Sequence, residues 1–266
     1  MCIFCGGTVA ANTVEHCPPR GMFRDRVWPE GFEFPACTAC NGGTANEDLM
    51  IAFLARLSGG DQETLSKGAG LMRDVHRRFP GLLASMFRRT TPIQARTDAR
   101  RFGLRPKPGQ TYQELGIVDI PEAMHESVAV LAGKLTKGIF YQKAGTAFPS
   151  EGGILFRWFT NAQRLEHGRI FVLDALKGIA AMGVPLVRAG KDLKDQFDFL
   201  YSVDESGDLH LLQVVFGTTF GFVTIFSQVP GRLEAIERDL LAKLGDGTFP
   251  FRWLSSNAMP AVQQND

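Results

Sequence analysis

The chain of 266 residues reads as an α+β protein. Two Cys-x-x-Cys pairs fall in its first 40 residues, a basic stretch with helical spacing follows, and three Phe-rich alternating runs joined by short turns occupy the second half. These features divide it into a cysteine finger at 1–56, a basic helical connector at 57–107 and a mixed domain at 108–266 containing an antiparallel β-meander. A composition of 44% apolar and 21% charged residues suits a packed globular protein. The net charge of +1 excludes a protein strongly basic or acidic as a whole. No run approaches the roughly 18 apolar residues of a membrane span, so none is expected. Met1-Cys2-Ile3-Phe4-Cys5-Gly6-Gly7 lacks the basic-then-apolar order of a secretory signal, and the expected compartment is the reducing cytoplasm.

The finger carries all five cysteines. Cys2 and Cys5 have the same spacing as Cys37 and Cys40. Two residues between thiolates let a tight turn aim both sulfurs at one point, and two such turns close a tetrahedral sulfur site for structural zinc. Gly6-Gly7 and Gly42-Gly43 follow the pairs and supply the backbone angles such turns need. Cys17 reads as a small buried filler.

Between the pairs lies Glu15-His16, and Asn41 follows the last cysteine directly. In these elements residues 1–55 resemble the zinc-stabilised form of the HNH, or ββα-metal, nuclease family. The resemblance implies a treble-clef-like finger. It also implies His16 as general base, Glu15 as ligand of a catalytic Mg2+ or Mn2+, and Asn41 as the fastener of the loop that carries His16. The family's third residue, a His or Asn one to two turns further on, has no His counterpart here; Asn46 and Asp48 are the candidates, with Glu47 between them. The implied activity is metal-dependent endonucleolytic hydrolysis of phosphodiester bonds in DNA. The alternative is a non-catalytic zinc-binding module that binds nucleic acid or a protein partner. The whole chain also resembles a group of bacterial proteins that open with such a finger, which implies no particular activity.

The connector is expected to be helical. Leu49–Leu57 is an apolar helix, with Thr44 or Asn46 as cap and Glu47 and Asp48 at the positive end of its dipole. Helices follow at 62–79, 81–89 and 92–102, and Arg105-Pro106-Lys107-Pro108-Gly109 forms a linker. Residues 73–107 hold ten basic groups against two acidic ones, a local net charge of +8. Arg73, Arg77, Arg78, Arg88, Arg89, Arg96, Arg100 and Arg101 make this stripe a candidate phosphate-contacting surface for nucleic acid. A solvated helix face, balanced by the acidic remainder of the chain, is the plainer alternative.

In the last part, Pro121 opens a long helix to about Gln142, with Val128, Leu131 and Leu135 on one stripe. Ile154–Phe159 is a strand, and 169–182 a helix. Phe197–Val203, Leu209–Phe216 and Gly221–Val229 form the meander, with turns at 205–208 and 217–219. Arg232–Leu244 is a final helix, and Asn257–Asp266 a frayed end. His76, His125, His167 and His210 stand apart and read as structural. No P-loop, GxGxxG, GxSxG or HExxH occurs.

Overall fold

The computed structural model describes residues 1–57, 62–87, 91–115, 117–161, 186–244 and 251–254. The helix expected at 169–182, the chain end at 257–266, Arg88, Arg89 and His167 lie outside them.

The finger opens with the Cys2–Cys5 turn and a short hairpin. Strand β1 (Thr13–His16) pairs antiparallel with β2 (Glu33–Ala36), Thr13 opposite Ala36 and His16 opposite Glu33. A one-turn helix α1 (Thr38–Gly42) follows, with Cys37 extended at its N-terminal boundary. Helix α2 (Ala45–Arg56) begins four residues before the apolar run suggests, with Glu47 and Asp48 in its first turn. Neither expected cap closes it: Thr44 stands at the boundary but makes no capping bond, because its hydroxyl accepts from Lys134 at 2.7 Å.

The connector helices are α3 (Gln62–Arg78), α4 (Leu82–Met86) and α5 (Pro92–Arg101). α5 has Pro at its start and Thr91 as cap, whose hydroxyl accepts from Gln94 N–H at 3.2 Å. Helix α6 (Glu122–Ala144) follows Pro121 and stops at Gly145, whose φ of +73° only glycine adopts without strain. No helix among the described residues is long and apolar enough to cross a membrane.

The remaining strands are β3 (Gly153–Thr160), β4 (Val187–Arg188), β5 (Lys191–Asp192), β6 (Asp198–Val203), β7 (His210–Phe216), β8 (Phe220–Ser227) and β9 (Arg252–Leu254), with helix α7 (Arg232–Leu244) before β9. Strands β6, β7 and β8 form the expected meander. The meander extends into a five-stranded antiparallel sheet of order β6-β7-β8-β3-β9, while β4 and β5 make a separate two-stranded ribbon.

α6 decides how these parts meet. It is covered by α2 on one side and by β3 and β8 on another, so most of its circumference is apolar. One continuous core runs from Cys2, Phe4 and Phe34, through Leu131, Leu135 and Ile139, to Phe222 and Phe226. On the sheet side Thr136 Oγ1 meets Thr224 Oγ1 at 2.9 Å. On the finger side Lys134 and Lys137 reach inward, and both are nearly fully buried.

Candidate functional site

The cysteine pairs come together. The sulfurs of Cys2, Cys5, Cys37 and Cys40 all lie within 4.8 Å of one another. A tetrahedral zinc–thiolate centre needs S···S separations of about 3.8 Å, so the four can hold an ion such as zinc with small adjustment. Backbone bonds fix the first turn: Gly7 N–H donates to Cys2 O at 3.0 Å, and Ile3 N–H donates to Pro35 O at 3.1 Å, tying the turn to β2. Gly6 and Gly7 have φ of +67° and +78°, the left-handed geometry the sequence suggested. Burial raises the Cys5 thiol, but bonds to Thr8, Val9 and Cys2 outweigh it and bring the thiol down to about 7. Burial, with bonds to Cys37 and Cys2, pushes the Cys40 thiol up. Lys137 Nζ donates to Phe4 O at 2.6 Å, and its charge faces Cys40, Cys5 and Cys2. Cys17 is packed in the core, and burial raises its thiol well above the ordinary value.

Asn41 joins this centre to β1. Its Nδ2 donates to Thr13 Oγ1 at 3.0 Å and to Val14 O at 3.1 Å. The residues that follow on the strand, Glu15 and His16, alternate in direction: Glu15 is 3% exposed, while His16 is half-buried. The His16 ring meets the edge of Trp28 at 4.8 Å. Trp28 lies under the guanidiniums of Arg20 at 4.8 Å and Arg188 at 4.0 Å, and donates through Nε1 to Glu33 at 2.9 Å. Burial and then the Arg20 charge lower the His16 pKa, with Glu33 opposing, so the imidazole is neutral at neutral pH.

Glu15, His16, Asn41 and Asp48 share one cavity of about 760 Å³, lined also by Arg20, Asp25, Arg26 and Arg56. Asn46, the other candidate third ligand, is exposed and does not line it. Lys134 Nζ lies 2.8 Å from Glu15 Oε1, with both side chains almost fully buried. Burial pushes Glu15 up to about 7 against the pull of Lys134, with Asp48 adding to the rise. Asp48 is pushed up to about 6, again by burial, with Lys134 opposing and Glu47 adding. The second oxygen of Glu15, Oε2, is buried without a hydrogen-bond partner among the described residues.

These residues do not fit a divalent ion as the cysteines fit zinc. Among the described residues no other group of three or more His, Cys, Asp or Glu side chains converges. An ion bound to Glu15 and Asp48 would lie close to a buried ammonium. The expectation of catalytic Mg2+ or Mn2+ therefore has no support in the geometry.

Of the arginine stripe, Arg73, Arg77, Arg78, Arg96, Arg100 and Arg101 are exposed. Arg77 pairs with Asp74 at 2.9 Å. The stripe begins beside the cavity, since Leu71 of α3 lines it. His125 accepts from Trp158 Nε1 at 3.0 Å, and His210 is bonded to Tyr201 at 2.8 Å, away from the cavity.

Sequence reasoning missed Lys134, Lys137, Arg20, Trp28 and Arg188. Lys134 and Lys137 had a visible signal: two cations, three apart, set into an otherwise apolar helix beside Leu131 and Leu135. Arg188 had none, since Trp28 and Glu33, which its guanidinium meets, are distant in sequence. No protein-family model, curated protein or solved structure matches the chain.

Proposed function

We propose that residues 1–56 are a treble-clef-like zinc finger of HNH type and that its His16 cavity receives the phosphate backbone of nucleic acid, DNA being favoured, as a binding module. The observation that carries this reading is the cavity's rim. Arg20, Arg26 and Arg56 line, with Asp25, the cavity that holds a neutral imidazole, and the exposed arginines of α3 and α5 add positive charge elsewhere on the surface. Asn41 supports the HNH character, because it fastens the strand bearing Glu15-His16 to the helix bearing Cys40.

Hydrolysis is the second reading, favoured by the neutral His16 beside Asp48 in the same cavity. One assay separates them. Duplex DNA is offered to the zinc-loaded protein at low and moderate salt, with and without Mg2+ or Mn2+. The binding reading expects affinity that falls steeply with salt, weakened by Arg20→Ala, and no strand breaks. Nicking that needs the added ion and disappears in His16→Ala would establish the nuclease instead. No binding at low salt would remove both.

A further inference from the structure

A divalent-ion nuclease site needs carboxylate or amide oxygens left free for the ion. Here Glu15 from β1 is already paired with a cation supplied by a distant part of the chain, and Asp48 from α2 lies within reach of its charge. Lys134 projects from α6, donates to Thr44 Oγ1 at 2.7 Å and holds Glu15 Oε1 at 2.8 Å. Its charge also acts on Asp48. The ring of Phe4 lies 5.5 Å from the ammonium and closes it off from solvent. The ammonium itself is shielded from water, so a dication added beside Glu15 would meet its charge with less screening than at a surface site.

We propose that Lys134 is the resident cation behind the His16 cavity: its ammonium already engages Glu15, the carboxylate a divalent ion there would need, so the cavity meets its anion without a metal. Glu15 then serves to hold Lys134, with the charge of half-buried Asp48 in support. Arg20 and Arg26, which line the cavity with Asp25 between them in sequence, then face a phosphate-bearing ligand. The inference concerns the cavity's charge alone, and its test contains no nucleic acid, so it can fail while the binding reading stands, and the reverse.

The test is a titration of zinc-loaded protein with Mn2+, the free ion read by its paramagnetic resonance signal. The wild type is expected to show no saturable site. Lys134→Met, which keeps the unbranched apolar stem and removes the charge, is expected to gain one, at least about tenfold tighter than any residual wild-type binding. Glu15→Gln added to Lys134→Met is expected to abolish it. A saturable wild-type site that Glu15→Gln removes would overturn the proposal, and so would a folded Lys134→Met protein without a site. Should Lys134→Met not retain its fold and zinc, Lys134→Gln replaces it. Should neither fold, the wild-type titration decides alone, the presence of a Glu15-dependent site overturning the proposal and its absence sustaining it.

Discussion

At the scale of single residues, two lysines one helical turn apart answer two different negative centres. Lys134 faces carboxylates, and Lys137 faces sulfurs. A four-thiolate zinc centre carries a formal charge of −2, and in a buried setting that charge needs a counterion. With zinc bound, Lys137 would supply it from 5% exposure, anchored by the carbonyl of Phe4 inside the Cys2–Cys5 turn. Lys137→Met should therefore loosen the ion, with zinc passing to a colorimetric chelator about tenfold faster than from the wild type. A transfer rate equal to wild type would show that the centre needs no partner on α6. The cysteine ligands were legible because spacing alone encodes a sulfur turn. Their counterion was not, because 97 residues separate Cys40 from Lys137 and only the packing of α6 against the finger brings them together.

At the scale of elements, local pattern served well where contacts are local. The meander, the connector helices, the long helix and the final helix follow from alternation, helical spacing and turn residues within a few positions of each other. What escaped was pairing between distant segments: β3 sits between β8 and β9, and three residues of β9 carry too little pattern to announce a strand. The contact of α6 with the hairpin escaped too, and Gly138 is where it is tightest. A Cβ built there would lie 2.7 Å from Phe34 Cζ and 2.8 Å from Cε2, well inside van der Waals contact. Alanine normally favours a helix over glycine by about 1 kcal/mol, but overpacking a core costs about 1–3 kcal/mol. The second effect should win, since Phe34 is itself 1% exposed and flanked by Phe4 and Phe32. Gly138→Ala should lower the urea midpoint by the equivalent of about 1 kcal/mol or more. A midpoint at or above wild type would mean that the hairpin yields easily to α6.

At the scale of the whole molecule, composition suggested a finger, a connector and a separate domain, yet the finger's cysteines and phenylalanines belong to the same core as β8. This shared core makes the effect of metal removal a question about the entire fold. Zinc held by four cysteines contributes on the order of 10 kcal/mol to a small domain, comparable with the roughly 5–15 kcal/mol by which most domains are stable. Stripping the ion leaves thiols whose mutual repulsion as thiolates, or burial as neutral groups, no longer favours the turn. The finger should then open, uncovering Phe4 and Phe34 and with them the face of α6 that carries Lys134 and Lys137. With that face exposed, α6 has lost half of what fixes it, and its other half covers β3 and β8. The expected outcome is loss of amide-exchange protection in β8 as well as in β1 and β2 when zinc is removed by a strong chelator, with both regained together when zinc is returned. Protection lost in the hairpin but unchanged in β8 would show instead that the finger folds on its own and that the continuous core is contact without cooperativity.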